Sequence, residues 1–137
     1  MKTFAISLFL GSFILLMSCG KDDDKSDRFR YLTGAVWQSD SLLINGEDAT
    51  GEGQMLEPYK GDAIFYEDGT GVFGSFNGTW RFAQNETELV LDSDSLAFPL
   101  TTKIQELIAE SLKVTATIPN FSDPQNPMQL RMTFKAK

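Results

Sequence analysis

The sequence predicts an all-β domain, an antiparallel sandwich or barrel, and three observations carry that expectation. Val114, Ala116 and Ile118 alternate with Thr115 and Thr117, and Met128, Leu130, Met132 and Phe134 alternate with Gln129, Arg131, Thr133 and Lys135. A period of two turns one set of side chains to a core and the other to water, which is how a half-buried strand reads. Turn-forming pairs recur between such runs, at Asn45-Gly46, Asp68-Gly69, Asn77-Gly78 and Asp92-Ser93-Asp94. Only Lys103 to Leu112 shows helical spacing, through Ile104, Leu107 and Ile108, and a strand ending in a tight turn near Ala109-Glu110-Ser111 is the preferred reading there.

The first segment is of another kind. Met1 and Lys2 open with positive charge, and Phe4 to Met17 is apolar apart from Ser7, Gly11 and Ser12. That run is shorter than the roughly 20 residues a membrane helix needs, and it suits the apolar region of a secretory signal. It ends in Leu16-Met17-Ser18-Cys19, which resembles the bacterial lipobox, with Met17 the less usual residue. The resemblance implies cleavage after residue 18 and acylation of Cys19, the chain's only cysteine. Several acyl chains anchor a protein stably where one holds it marginally, and lipidation removes an otherwise oxidisable thiol.

Gly20-Lys21-Asp22-Asp23-Asp24 follows at once and resembles the export signal of Bacteroidota-type surface lipoproteins. It implies a lipid-anchored, outward-facing place on the cell outer membrane. Lys25, Ser26, Asp27 and Arg28 extend the charged stretch, so residues 19–30 read as an extended tether. The expected organisation is a signal peptide over 1–18, a lipidated acidic tether over 19–30 and one domain over 31–137.

Beyond residue 18 lie 11 Lys plus Arg and 19 Asp plus Glu, a balance of −8. Nucleic-acid binding rests on neutralising phosphates with cations, so this chain is not expected to have a nucleic-acid partner. The remaining 119 residues suffice for one core.

Along the domain, Trp37 lies on the first strand, and Trp80 and Phe82 flank Arg81 as Leu89 and Leu91 flank Val90. Leu32-Thr33-Gly34-Ala35-Val36-Trp37 resembles the opening of lipocalin-like domains. Ile64-Phe65-Tyr66-Glu67-Asp68-Gly69-Thr70 with Gly78-Thr79-Trp80 is similar to their bacterial hairpin, and Lys103 to Leu107, Leu112 to Val114 and Leu130 to Phe134 are similar to their closing strands. The resemblance spans Tyr31 to Lys137 and implies a small up-and-down barrel of about eight strands. The spacing is Gly-x-x-Trp, not Gly-x-Trp, and no Thr-Asp-Tyr motif follows. Lipocalins pack a late Arg over the first Trp; Arg131 is the nearest match, although its alternation places it outside.

Chemistry is sparse. The sequence has no histidine, so Ser-His-Asp, Cys-His and His-ligated zinc sites are ruled out. The pairs Glu67-Asp68 and Asp92-Asp94 sit at turn signals, where solvated acid is expected, and a full calcium loop is not visible. Gly51-Glu52-Gly53 lacks the Lys-Ser/Thr ending of a phosphate loop. No enzyme activity, cofactor or metal is expected.

Binding is the expectation that remains. Asn45 to Gly61 is a long link between the first two main strands, and loops of that length in compact domains are often functional. In a lipocalin-like barrel it would cover the open mouth, where Met55, Leu56 and Tyr59 either gate an apolar cavity or simply plug the barrel end. Phe65, Phe73, Trp80, Phe82 and Leu130 would line the wall around a narrow cavity for one slender apolar group. The alternative is a solid barrel whose loops meet another protein or a glycan. Asp40-Ser41-Leu42 and Asp94-Ser95-Leu96 also resemble a short bacterial O-glycosylation signal, which makes Ser41 and Ser95 candidate acceptors; Asn77 and Asn85 fit the N-linked sequon, which a bacterial chain makes a poor reading.

Overall fold

Residues 25–137 are described by the structure, a computed structural model. The expectations for the signal segment, Cys19 and the Lys21-Asp22-Asp23 stretch lie outside the described residues.

The chain enters the domain through a helix, not an extended tether. α1 spans Asp27–Thr33. Ser26 caps it: its Oγ accepts from the Phe29 N–H at 3.1 Å, while Asp27 in the first turn complements the helix dipole. At the other end the Gly34 N–H donates to the Arg30 carbonyl at 2.9 Å. The helix also makes specific contacts with the barrel, since Ser26 Oγ bonds the Glu86 carboxylate and Arg28 Nη1 donates to the Glu86 carbonyl at 2.6 Å. The expected tether over 19–30 is therefore corrected for Asp27 to Arg30. Seven residues are too few to show helical periodicity, and a Ser-Asp-Arg run reads as charged linker until its cap is seen.

Nine strands follow: β1 (Val36–Ile44), β2 (Glu47–Asp48), β3 (Asp62–Phe65), β4 (Thr70–Phe73), β5 (Phe76–Ala83), β6 (Glu88–Ser93), β7 (Leu100–Leu107), β8 (Ser111–Ile118) and β9 (Met128–Ala136). β2 is a short flap beside β1, joined by Asn45 and Gly46, whose φ angles of 51° and 82° suit the tight hairpin that this pair favours. The other strands pair antiparallel in sequence order from β1 and β3 through β9. β9 returns to β1, with register from Trp37↔Ala136 to Ile44↔Leu130. The result is a closed eight-stranded up-and-down barrel, as the sequence predicts. Closure removes the exposed edges that an open sheet would offer. Among the described residues, the strand pairings and the core side chains all fall between Phe29 and Ala136, so residues 25–137 contain the closed barrel and its core.

The predicted alternations set the two faces. Leu112, Val114 and Ala116 of β8 and Leu130, Met132 and Phe134 of β9 are buried inside, while Arg131 is exposed on the outer face. A bulge at Asp40 shifts the phase of β1, so Trp37 and Leu42 both point inward. Residues 103–107 are strand, with the turn at 108–110. Asn77-Gly78, expected to be a turn, lies inside β5; the chain reverses at Gly74 and Ser75 instead. Gly78 is there for closeness. It pairs with Gly71, a Cβ on it would sit 2.0 Å from the Asp92 carbonyl oxygen, and the Phe73 ring lies across both glycines.

Strand direction sorts the connections into two ends. Turns 66–69, 84–87 and 108–110 share one end with α1; the links 45–61, 74–75, 94–99 and 119–127 share the other. The α1 end is shut. Leu32 and Trp37 are both fully buried, and the Trp37 indole N–H donates to the Leu32 carbonyl at 2.9 Å. Trp80 stacks between Phe29 and Phe82, with ring centroids 5.7 and 5.5 Å away, and its N–H donates to the Tyr66 carbonyl at 2.9 Å. Each Trp thus buries a large apolar ring and satisfies its one donor.

Candidate ligand cavity

The opposite end is open above an apolar cavity of about 650 Å³. That volume lies within the range of small-molecule sites, on the order of 300–1,000 Å³. It is wider than the narrow space expected from the sequence. The reason is where the large rings go: Trp80 packs between Phe29 and Phe82, and neither Trp80 nor Phe82 lines the cavity. Both were expected in the wall, and α1 is what draws them down into the plug.

Of the other expected residues, Met55, Leu56, Tyr59, Phe65, Phe73 and Leu130 do line it. Phe65 forms part of the floor, its ring edge-on to Trp80 at 5.9 Å and tilted on Phe73 at 5.4 Å. Leu130 is one rung of the wall, which Leu89, Leu112, Val114 and Met132 continue. These four belong to alternating runs legible in the sequence, and all four are buried.

The three residues expected at the gate differ in their surroundings. Leu56 is 6 % exposed and anchors the cap, its N–H donating to the Ala49 carbonyl at 2.9 Å. Met55 is 53 % exposed on the rim. Tyr59 lies on a single turn of 3-10 helix, Glu57–Tyr59, tilts against Phe76 at 5.3 Å and hydrogen-bonds Ser95. Ser95 in turn bonds Ser93 at 2.7 Å. Three hydroxyls therefore link the cap to the 94–99 loop at the cavity mouth.

The cap is stitched by its own polar contacts. Asp48 Oδ1 accepts from the Thr50 N–H at 3.1 Å and hydroxyl at 2.7 Å, which holds its carboxyl below the usual carboxylate range. Gln54 accepts from the Gly51 N–H and Glu57 from the Gly53 N–H, each at 2.7 Å. Around the mouth, Phe98 and Phe121 join Met55 as exposed apolar side chains; Phe121 is 81 % exposed. Among the described residues, none of the side chains lining the cavity carries a charge.

The remaining candidates sit elsewhere or bear differently on the cavity. Ser95 is at its mouth, engaged with Tyr59 and Ser93, while Ser41 is half-buried within β1. Glu67 and Asp68 are in the β3–β4 turn at the shut end, one paired with Lys25 at 2.8 Å and the other accepting from Thr70. Asp92 lies on β6 and Asp94 on the exposed mouth loop. Among the described residues no three His, Cys, Asp or Glu side chains come together to hold a metal, and no helix is long and apolar enough to cross a membrane.

Comparison with protein-family models and with curated proteins finds no match.

Proposed function

We propose that this protein is a non-enzymatic, lipid-anchored carrier that holds a small apolar ligand in its barrel at the bacterial outer membrane. The observation that supports the reading best is the open apolar cavity above an aromatic plug. A barrel meant only as a rigid scaffold would fill its interior, as eight strands allow; here one end is packed shut and the other is left wide. The anchor rests on the Leu-Met-Ser-Cys19 sequence and the surface location on Lys21-Asp22-Asp23.

The carrier reading is tested by titrating residues 25–137 with the uncharged dye Nile red. Saturable binding at one site supports it; partitioning without saturation refutes it. Acylation at Cys19 is tested by Cys19→Ala, which should leave the precursor uncleaved and unlabelled by a lipid precursor. Replacing Lys21, Asp22 and Asp23 by Ala should remove protease accessibility on whole cells. A second reading, contact with another protein or a glycan, draws on the exposed Met55, Phe98 and Phe121. It is preferred if the dye does not bind.

A further inference from the structure

The geometry points to an uncharged ligand: a lipid-like chain whose polar head is a hydroxyl, carbonyl or ester rather than a carboxylate or an amine, seated against the Tyr59–Ser95–Ser93 hydroxyls. This rests on the carrier reading and narrows it.

Three observations converge. Among the described residues the cavity wall carries no Lys, Arg, Asp or Glu, so a buried ionic head would have no partner of opposite sign there. Leaving an ionised group unpaired in an apolar site is among the costliest arrangements a protein can make. The mouth loops add a field of one sign. They carry Glu47, Asp48, Glu52, Glu57, Asp94 and Asp123, and the only cation on them is Lys60. A carboxylate head held at the rim would sit among those acids and be repelled.

The hydroxyl trio supplies a polar contact for such a head; Asn120 and Ser122 on the 119–127 link are the other polar residues of the lining. Tyr59 OH, Ser95 Oγ and Ser93 Oγ bond in a row at the junction of cap and wall, and Ser93 is 8 % exposed. A hydroxyl has one proton to donate and two lone pairs. Two bonds within the row use two of the three protons, so one donor and several acceptor positions remain. Because the O–H groups rotate, the row can donate to a carbonyl or accept from an alcohol. It can stabilise neither charge as an ion pair would.

A cationic head is disfavoured for a different reason. The acids stand on exposed loops outside the cavity, with Asp48 and Glu57 bonded to Thr50 and Gly53. An amine drawn to them would hold its chain at the rim and not in the cavity.

The test uses residues 25–137 loaded with Nile red and three competitors of equal chain length: decanol below its solubility limit, and decanoate and decylammonium below their micelle concentrations. Decanol should displace the dye at about one-tenth of the concentration needed for either ion, the discrimination expected when an ionic head must stay outside. In the Ser93→Ala, Ser95→Ala double variant, and independently in Tyr59→Phe, decanol should weaken roughly fivefold, the worth of one neutral hydrogen bond. Melting curves establish that each variant is folded. Displacement by decanoate or decylammonium as strong as by decanol overturns the uncharged head while leaving the carrier intact. Decanol unaffected by both sets of variants overturns the hydroxyl row as its seat. Failure of the dye and all three competitors to bind removes the carrier reading itself.

Discussion

Narrowing the cavity should stabilise the fold and weaken binding together, and Ala63 is the position to do it. Ala63 is on β3, 4 % exposed, lines the cavity, and is flanked by Trp37 on β1 and Phe73 on β4. Ala63→Ile adds three carbons on a strand that accepts β-branched residues. At about 0.8 kcal/mol per buried methylene the gross gain is about 2.4 kcal/mol. Fixing the new rotamer removes about 0.5–1 kcal/mol. The net should be about 1.5 kcal/mol, a rise in Tm of roughly 6–10 °C for a domain of this size. Thermal unfolding by circular dichroism reads the first effect and Nile red titration the second. A plain packing defect would show the stabilisation with no saturable dye binding in the parent to lose. The reasoning is refuted if Ala63→Ile lowers Tm, because the space would then be occupied, or if it raises Tm and binds dye as before, because the dye would then sit elsewhere.

Gly78→Ala should cost about 3 kcal/mol or more, read as a fall in urea midpoint at constant slope, because the new Cβ would meet the Asp92 carbonyl oxygen, which is fixed backbone. Gln84→Gly should stabilise by about 0.5–1 kcal/mol, since Gln84, Asn85 and Glu86 all hold positive φ, at 52°, 56° and 63°, a region that costs side-chain-bearing residues energy; a drop in Tm would show the turn to be unstrained. Phe121→Ser should change stability by no more than about 0.5 kcal/mol, because that ring is almost wholly exposed, yet weaken dye binding if the rim forms part of the site.

The barrel was legible because its strands are half-buried and so carry period two; β8 and β9 show it cleanly, and their inner faces are those the sequence names. What escaped is local. α1 depends on a cap and on docking to the Glu86 turn, neither of which leaves a pattern in seven residues. Asn77-Gly78 misleads because glycine serves two purposes, a positive φ in a turn or a close approach in a strand, and only the pairing with Gly71 tells them apart. The candidate cavity was half-legible for the same reason. Phe65, Phe73 and Leu130 are inward by alternation, as are Trp80 and Phe82, but alternation gives the face and not the height along the barrel.

Height is set by the plug, and this explains why such an acidic chain keeps an uncharged interior. In an up-and-down barrel successive connections alternate between the two ends. Here the shut end uses connections of 66–69, 84–87 and 108–110, and the open end uses 45–61, 94–99 and 119–127 with only 74–75 as short. Short turns cannot reach over a barrel, so closing that end needs a separate element, and α1 supplies it with Phe29 and Leu32. Long links can cross the other end and carry charge without burying it. The acids of the cap stay in water on those links, while Leu56 and Tyr59 turn the links' apolar side to the cavity, Tyr59 against Phe76 of β5. The same loop that makes the mouth acidic thereby makes the interior neutral. The proposed preference for uncharged heads rests on that division of the cap.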